Sequence, residues 1–118
     1  MYILLKKGIF SYKLETTHTD NRNIISVKVG FSNTPMVLIL CYGPQETESE
    51  EVRETLYHDL KFEVIQCKKL GGSMVTAGDF NAKVSVKDEK YSADSKNGEL
   101  MLSTLNDIDL SLLNYESK

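Results

Sequence analysis

At 118 residues, 41% of them hydrophobic, with a mean hydropathy of -0.29, the chain has the length of one domain that buries a modest core. Its net charge of -3 and pI near 5.4 exclude a global electrostatic pull toward nucleic acid, so any phosphate partner has to be held locally. No apolar stretch approaches the roughly 20 residues that cross a bilayer, and the apolar run at residues 2–5 is too short for a secretory leader; no membrane partner is expected, and the expected compartment is intracellular, nuclear or cytoplasmic.

In chain order, residues 2–5 (YILL) read as a strand, and residues 10–15 (FSYKLE), which alternate apolar with polar, read as a second strand after a break at Lys6-Lys7-Gly8. Residues 16–23 form a polar loop. Residues 24–31 (IISVKVGF) alternate again, with Ile25, Val27, Val29 and Phe31 expected on one face, and Ser32-Asn33-Thr34-Pro35 supplies a turn. Residues 36–42 (MVLILCY) are apolar throughout, the pattern of a central strand buried on both faces.

Gly43-Pro44 ends that strand, and Thr47 with Glu50 fits a capping box at the start of a helix. Val52, Leu56, Leu60, Val64 and Cys67 recur every three or four residues, predicting an amphipathic helix of about twenty residues that Gly71-Gly72 stop. The run Met74-Val75-Thr76-Ala77 follows at once, so strand, helix and strand make a βαβ unit whose strands are expected to be parallel. Residues 85–96, rich in Lys, Asp and Ser, read as a surface loop. Met101, Leu102, Leu105 and Ile108 give a short helical stripe over residues 99–107, and residues 109–115 read as a last strand with Asn114 at its carboxyl end.

Both strands of the βαβ unit end in polar side chains. Tyr42 is followed by Gly43-Pro44-Gln45, and Gly78 by Asp79-Phe80-Asn81, with Phe80 expected to anchor the turn in the core. Parallel neighbours deliver their carboxyl ends to one rim, where ligands of open α/β sheets collect. A carboxylate, carboxamides and a phenol make an oxygen-rich set suited to a hard cation such as Mg²⁺; no clustered His or Cys in the sequence suggests zinc. Cys41 and Cys67 read as buried thiols, His18 and His58 as surface side chains, and most lysines, Lys83 among them, as solvated.

CYGPQ, an amphipathic helix, VTAGDFNAKV and KNGELMLSTLNDIDLSLLN, in that order, resemble the middle of the endonuclease/exonuclease/phosphatase superfamily, above all the endonuclease domains of non-LTR retrotransposons. The resemblance runs from about Tyr2 to Asn114. It implies an α/β fold of mixed β-sheets flanked by helices, the central portion of a four-layer α/β sandwich, carried by residues 1–118 as a single truncated domain. It implies a Mg²⁺- or Mn²⁺-dependent phosphodiester hydrolase acting on the DNA backbone. By the same resemblance Asp79 binds the metal or the attacking water, Asn81 and Tyr42 bind the scissile phosphate, and Gln45, Asn97 and Asn114 are substrate contacts, with a helix N-cap as the simpler account of Asn97. Family members also carry an Asn and a Glu before the first strand of this chain and an Asp-His pair after its last. Without those groups, weak metal binding and weak or no hydrolysis are expected, and the alternative is a remnant serving as a binding module. Open sheet edges imply self-association.

Overall fold

The computed structural model describes residues 10–13, 18–31 and 34–112. The strand expected at residues 2–5 and Asn114 with its strand end lie outside the described residues.

Among the described residues, β1 (Phe10–Lys13), β2 (Ile24–Phe31), β3 (Thr34–Tyr42) and β4 (Ser73–Asp79) form one mixed sheet in that order. β1, β2 and β3 are antiparallel neighbours, whereas β3 and β4 run parallel across the helix α1 (Glu50–Lys68). The expected βαβ unit is therefore present. β3 starts at Thr34, two residues before the apolar run, because Pro35 stands opposite Gly30 at the end of the antiparallel ladder and needs no donor of its own there.

The helix begins at Ser49, whose hydroxyl accepts the Val52 N–H at 3.3 Å; the capping box expected at Thr47 is displaced by two residues. Its buried stripe is Arg53, Leu56, Tyr57, Leu60, Glu63, Val64 and Cys67, with Val52 left 46% exposed. Two charged side chains thus replace one of the expected apolar positions. The stripe packs on Ile24 of β2 and on Val37, Ile39 and Cys41 of β3, and Met101 and Ile108 close the same core. Gly71 and Gly72, with φ of 73° and 83°, turn the chain from the helix into β4 as expected.

β3 is interior to its sheet, yet only one of its faces is fully buried. Val37, Ile39 and Cys41 lie under α1, while Met36, Leu38 and Leu40 on the other face stay half-buried among the described residues. On β2, the face under α1 carries Ile24 and the buried Ser26, in register with Cys41 and Ile39, rather than the odd-numbered apolar set.

Three corrections concern the second half. The stretch expected as a loop forms a hairpin, β5 (Val84–Lys87) and β6 (Lys90–Ala93), turned at Asp88 and Glu89, both with positive φ (53° and 63°). The following helix α2 (Lys96–Asp107) starts three residues earlier than expected, capped by Ser95, which accepts the Gly98 N–H at 3.0 Å. Residues 110–112 are not strand. Among the described residues no helix is long and apolar enough to cross a membrane.

Candidate functional site

The carboxyl ends of β3 and β4 meet where the parallel register places Tyr42 beside Asp79. Register partners in a sheet share a face, so phenol and carboxylate stand on the side away from α1. Tyr42 is 44% exposed. The strands then lock together one residue further on. The Gly43 N–H donates to the Asp79 carbonyl at 2.6 Å, and the Asn81 side-chain amide donates to the Gly43 carbonyl at 2.7 Å. A Cβ on Gly43 would overlap the Phe80 backbone, and one on Gly78 (φ 141°) would overlap Cys41, so both glycines are needed for this close approach.

Asn81 has left the strand. Its φ of 49° is in the left-handed region that asparagine tolerates, and its N–H donates to the Asp79 carboxylate at 3.0 Å, an Asx turn. Simple strand alternation therefore does not extend to Asn81, although Phe80 packs against the core as expected. Asp79, Asn81 and Gln45 all line one open cavity of about 1080 Å³ along the free edge of β4, whose floor is made by apolar side chains such as Met74, Leu60 and Leu105. Tyr42 adjoins Asp79 but is not part of that lining.

Asn97 is different from what the sequence led one to expect. It is neither a helix N-cap, since Ser95 holds that place, nor open to a substrate, since it is 0% exposed. Its amide donates to the Pro44 carbonyl at 2.7 Å and to the Asn81 carbonyl at 2.9 Å, and its oxygen accepts the Arg53 Nε–H at 2.9 Å. Both amide hydrogens and the oxygen of that side chain are engaged inside the protein. Asn97 thus ties the loop after β3 to the loop after β4. Arg53 extends the clamp by donating to the carbonyls of Glu46 (2.9 Å) and Glu48 (3.2 Å).

The cavity also holds two charged residues outside the expected site set, Lys83 and Glu46. Lys83 lines it, two positions beyond Asn81, and is the cation of that lining among the described residues. Glu46 lines it too, but its carboxylate faces the Asn97 N–H (3.3 Å) and the Arg53 guanidinium (3.8 Å). That leaves Asp79 as the carboxylate with an oxygen free of those ties. The donors gathered here are carboxylate, carboxamide and backbone oxygens, a set that fits a hard cation such as Mg²⁺ with most of its shell left to water and phosphate.

A second polar cluster lies where the buried stripe of α1 meets β2 and the loop before it. Glu63 is 0% exposed, and its carboxylate accepts from Ser26 Oγ (2.7 Å), the Thr19 N–H (2.9 Å), His18 Nδ1 (3.1 Å) and Cys67 Sγ (3.4 Å). Burial alone raises a carboxyl pKa, but these four donors outweigh it and hold Glu63 below the usual 4.5. His18, expected on the surface, therefore has a buried partner, whereas His58 is solvent-facing as expected. Both thiols are free and buried, and burial pushes Cys41 up to about 12 and Cys67 up to about 11.

No protein-family model, no curated protein and no solved structure matches the chain.

Proposed function

We propose that the chain is a Mg²⁺- or Mn²⁺-dependent phosphodiesterase-like domain of the endonuclease/exonuclease/phosphatase type, the central part of its four-layer sandwich, acting weakly on the DNA backbone. The observation that carries this reading is the pairing of Tyr42 with Asp79 at the ends of two parallel strands, with Asn81 folded over Gly43 beside them. The free oxygen of Asp79 would hold the cation or orient a water molecule. The phenol of Tyr42, the second amide hydrogen of Asn81 and the ammonium of Lys83 are donors for phosphate oxygens. A divalent cation bound there supplies charge neutralisation at the phosphate. The apolar cavity floor is suited to the sugar and base side of a nucleotide.

One observation favours a second reading, a phosphate-binding module without hydrolysis. Asp79 and Asn81 each spend one polar atom on the turn, and Glu46 is held by Arg53, so a single carboxylate remains for a metal. Nicking of supercoiled plasmid separates the two. Slow Mg²⁺- or Mn²⁺-dependent nicking that Asp79→Ala abolishes supports hydrolysis. Duplex binding without nicking, weakened by Lys83→Ala, supports the module, and neither activity would refute both.

Self-association is the partner we expect besides DNA. β4 has a neighbour on one side among the described residues, and Val75 on it is 37% exposed. Light scattering at rising concentration should show species larger than one chain. A monodisperse monomer throughout would contradict this.

A further inference from the structure

We propose that His18, Glu63 and Cys67 form a binding site for a borderline-soft divalent cation of the Zn²⁺ type. Glu63 and Cys67 stand one turn apart on α1, which puts carboxylate and thiol on one helix face. His18 reaches them from the loop before β2, so residues far apart in sequence meet only through the fold. One imidazole nitrogen, one carboxylate oxygen and one sulfur all lie within 4.8 Å of one another.

The separations suit a tetrahedral ion. Ligand atoms about 2.0–2.3 Å from a tetrahedral centre stand roughly 3.3–3.8 Å apart. Here the nitrogen and the sulfur are 3.1 and 3.4 Å from the same carboxylate oxygen, so small rotations would seat an ion among them. The outer contacts orient the carboxylate: the Thr19 N–H holds Oε1, the oxygen turned away from His18 and Cys67, and Ser26 Oγ donates to Oε2 beside Cys67 Sγ, 3.7 Å away. The His18 side chain is 30% exposed, which gives solvent a route in and leaves water as the fourth ligand. Binding removes one proton, from the Cys67 thiol to solvent, and a doubly charged cation then faces one carboxylate, one thiolate and a neutral imidazole. The buried site becomes electrically neutral. Thiolate and imidazole disfavour Mg²⁺, so this site is distinct in chemistry from the one at Asp79.

The test uses the full chain with the metal salts alone. Added Co²⁺ should give the near-ultraviolet thiolate-to-cobalt absorption and strong visible bands of a tetrahedral site, and Zn²⁺ should displace it and raise the Tm. Cys67→Ser should remove the thiolate band while Cys41→Ser keeps it. His18→Ala, which truncates a partly exposed loop side chain, should weaken Zn²⁺ binding at least tenfold with unchanged far-ultraviolet circular dichroism. A folded chain that gives no thiolate band with Co²⁺, a band lost with Cys41→Ser rather than Cys67→Ser, or a His18→Ala chain that binds as tightly as the wild type would overturn the proposal.

Discussion

Replacing Asn97 with alanine should cost about 3–5 kcal/mol, the range seen when one member of a buried charged network is removed. Three groups lose their partner at once. The Arg53 Nε–H loses its acceptor, and the Pro44 and Asn81 carbonyls lose their donor, at a position that solvent does not reach. Against a typical domain stability of about 5–15 kcal/mol, such a loss is large. Asn97→Asp separates the contributions, because it keeps an acceptor for Arg53 but sets a carboxylate oxygen against two carbonyls; it should be no more stable than the alanine variant. Urea midpoints at neutral pH measure both. A cost below about 1 kcal/mol for Asn97→Ala would mean the two strand-end loops are held by something else.

The second large effect belongs to Glu63. Glu63→Gln should cost about 3 kcal/mol at pH 7, because its NH₂ group must replace either the oxygen that accepts the Thr19 N–H or the one that accepts from Ser26, His18 and Cys67, and so faces donors in either orientation. The sign of its pH dependence follows from the depressed pKa. The folded protein favours the charged carboxylate more than the unfolded chain does, so the contribution is fully present above the usual 4.5 and is lost as pH falls through the lower folded value. Wild-type and Glu63→Gln unfolding free energies should therefore differ most near neutrality and converge in acid. Parallel curves down to the lowest pH at which the chain folds would contradict the assignment.

Both residues show where the sequence was silent. A glutamate inside a helix reads as solvated, and nothing local to Glu63 announces that Ser26, Thr19 and His18 approach it from another strand and loop. The same is true of Arg53, which occupies a core position because Asn97 and two backbone carbonyls receive its hydrogen bonds. By contrast, β2, β3, β4 and α1 were legible because their periodicity, glycines and proline act locally. The hairpin at Val84 to Ala93 was missed for a reason of turn chemistry. Its two central residues adopt positive φ as Asp88-Glu89, without the asparagine or glycine that normally signals such a turn.

At the candidate site, the convergence of Tyr42 and Asp79 was readable from strand-end polarity and parallel pairing. The role of Asn97 was not, since an Asn-Gly pair at a helix start suggests capping until Ser95 is seen to do it. Nor was the separation of Tyr42 from the cavity that Asp79, Asn81 and Gln45 share, because alternation along a strand says nothing of the groove beside its edge.

The proposed activity requires the ends of β3 and β4 to form one place where a divalent cation and a phosphate are held. Titration of the isotope-labelled chain with Mn²⁺ in the presence of a short DNA duplex, followed by amide NMR spectra, reads that place residue by residue. Paramagnetic broadening should begin at Tyr42, Gly43 and Asp79 to Asn81 and be absent from those residues in Asp79→Ala. Broadening confined to the glutamates at the start of α1, with Asp79 and its neighbours unaffected, would contradict it.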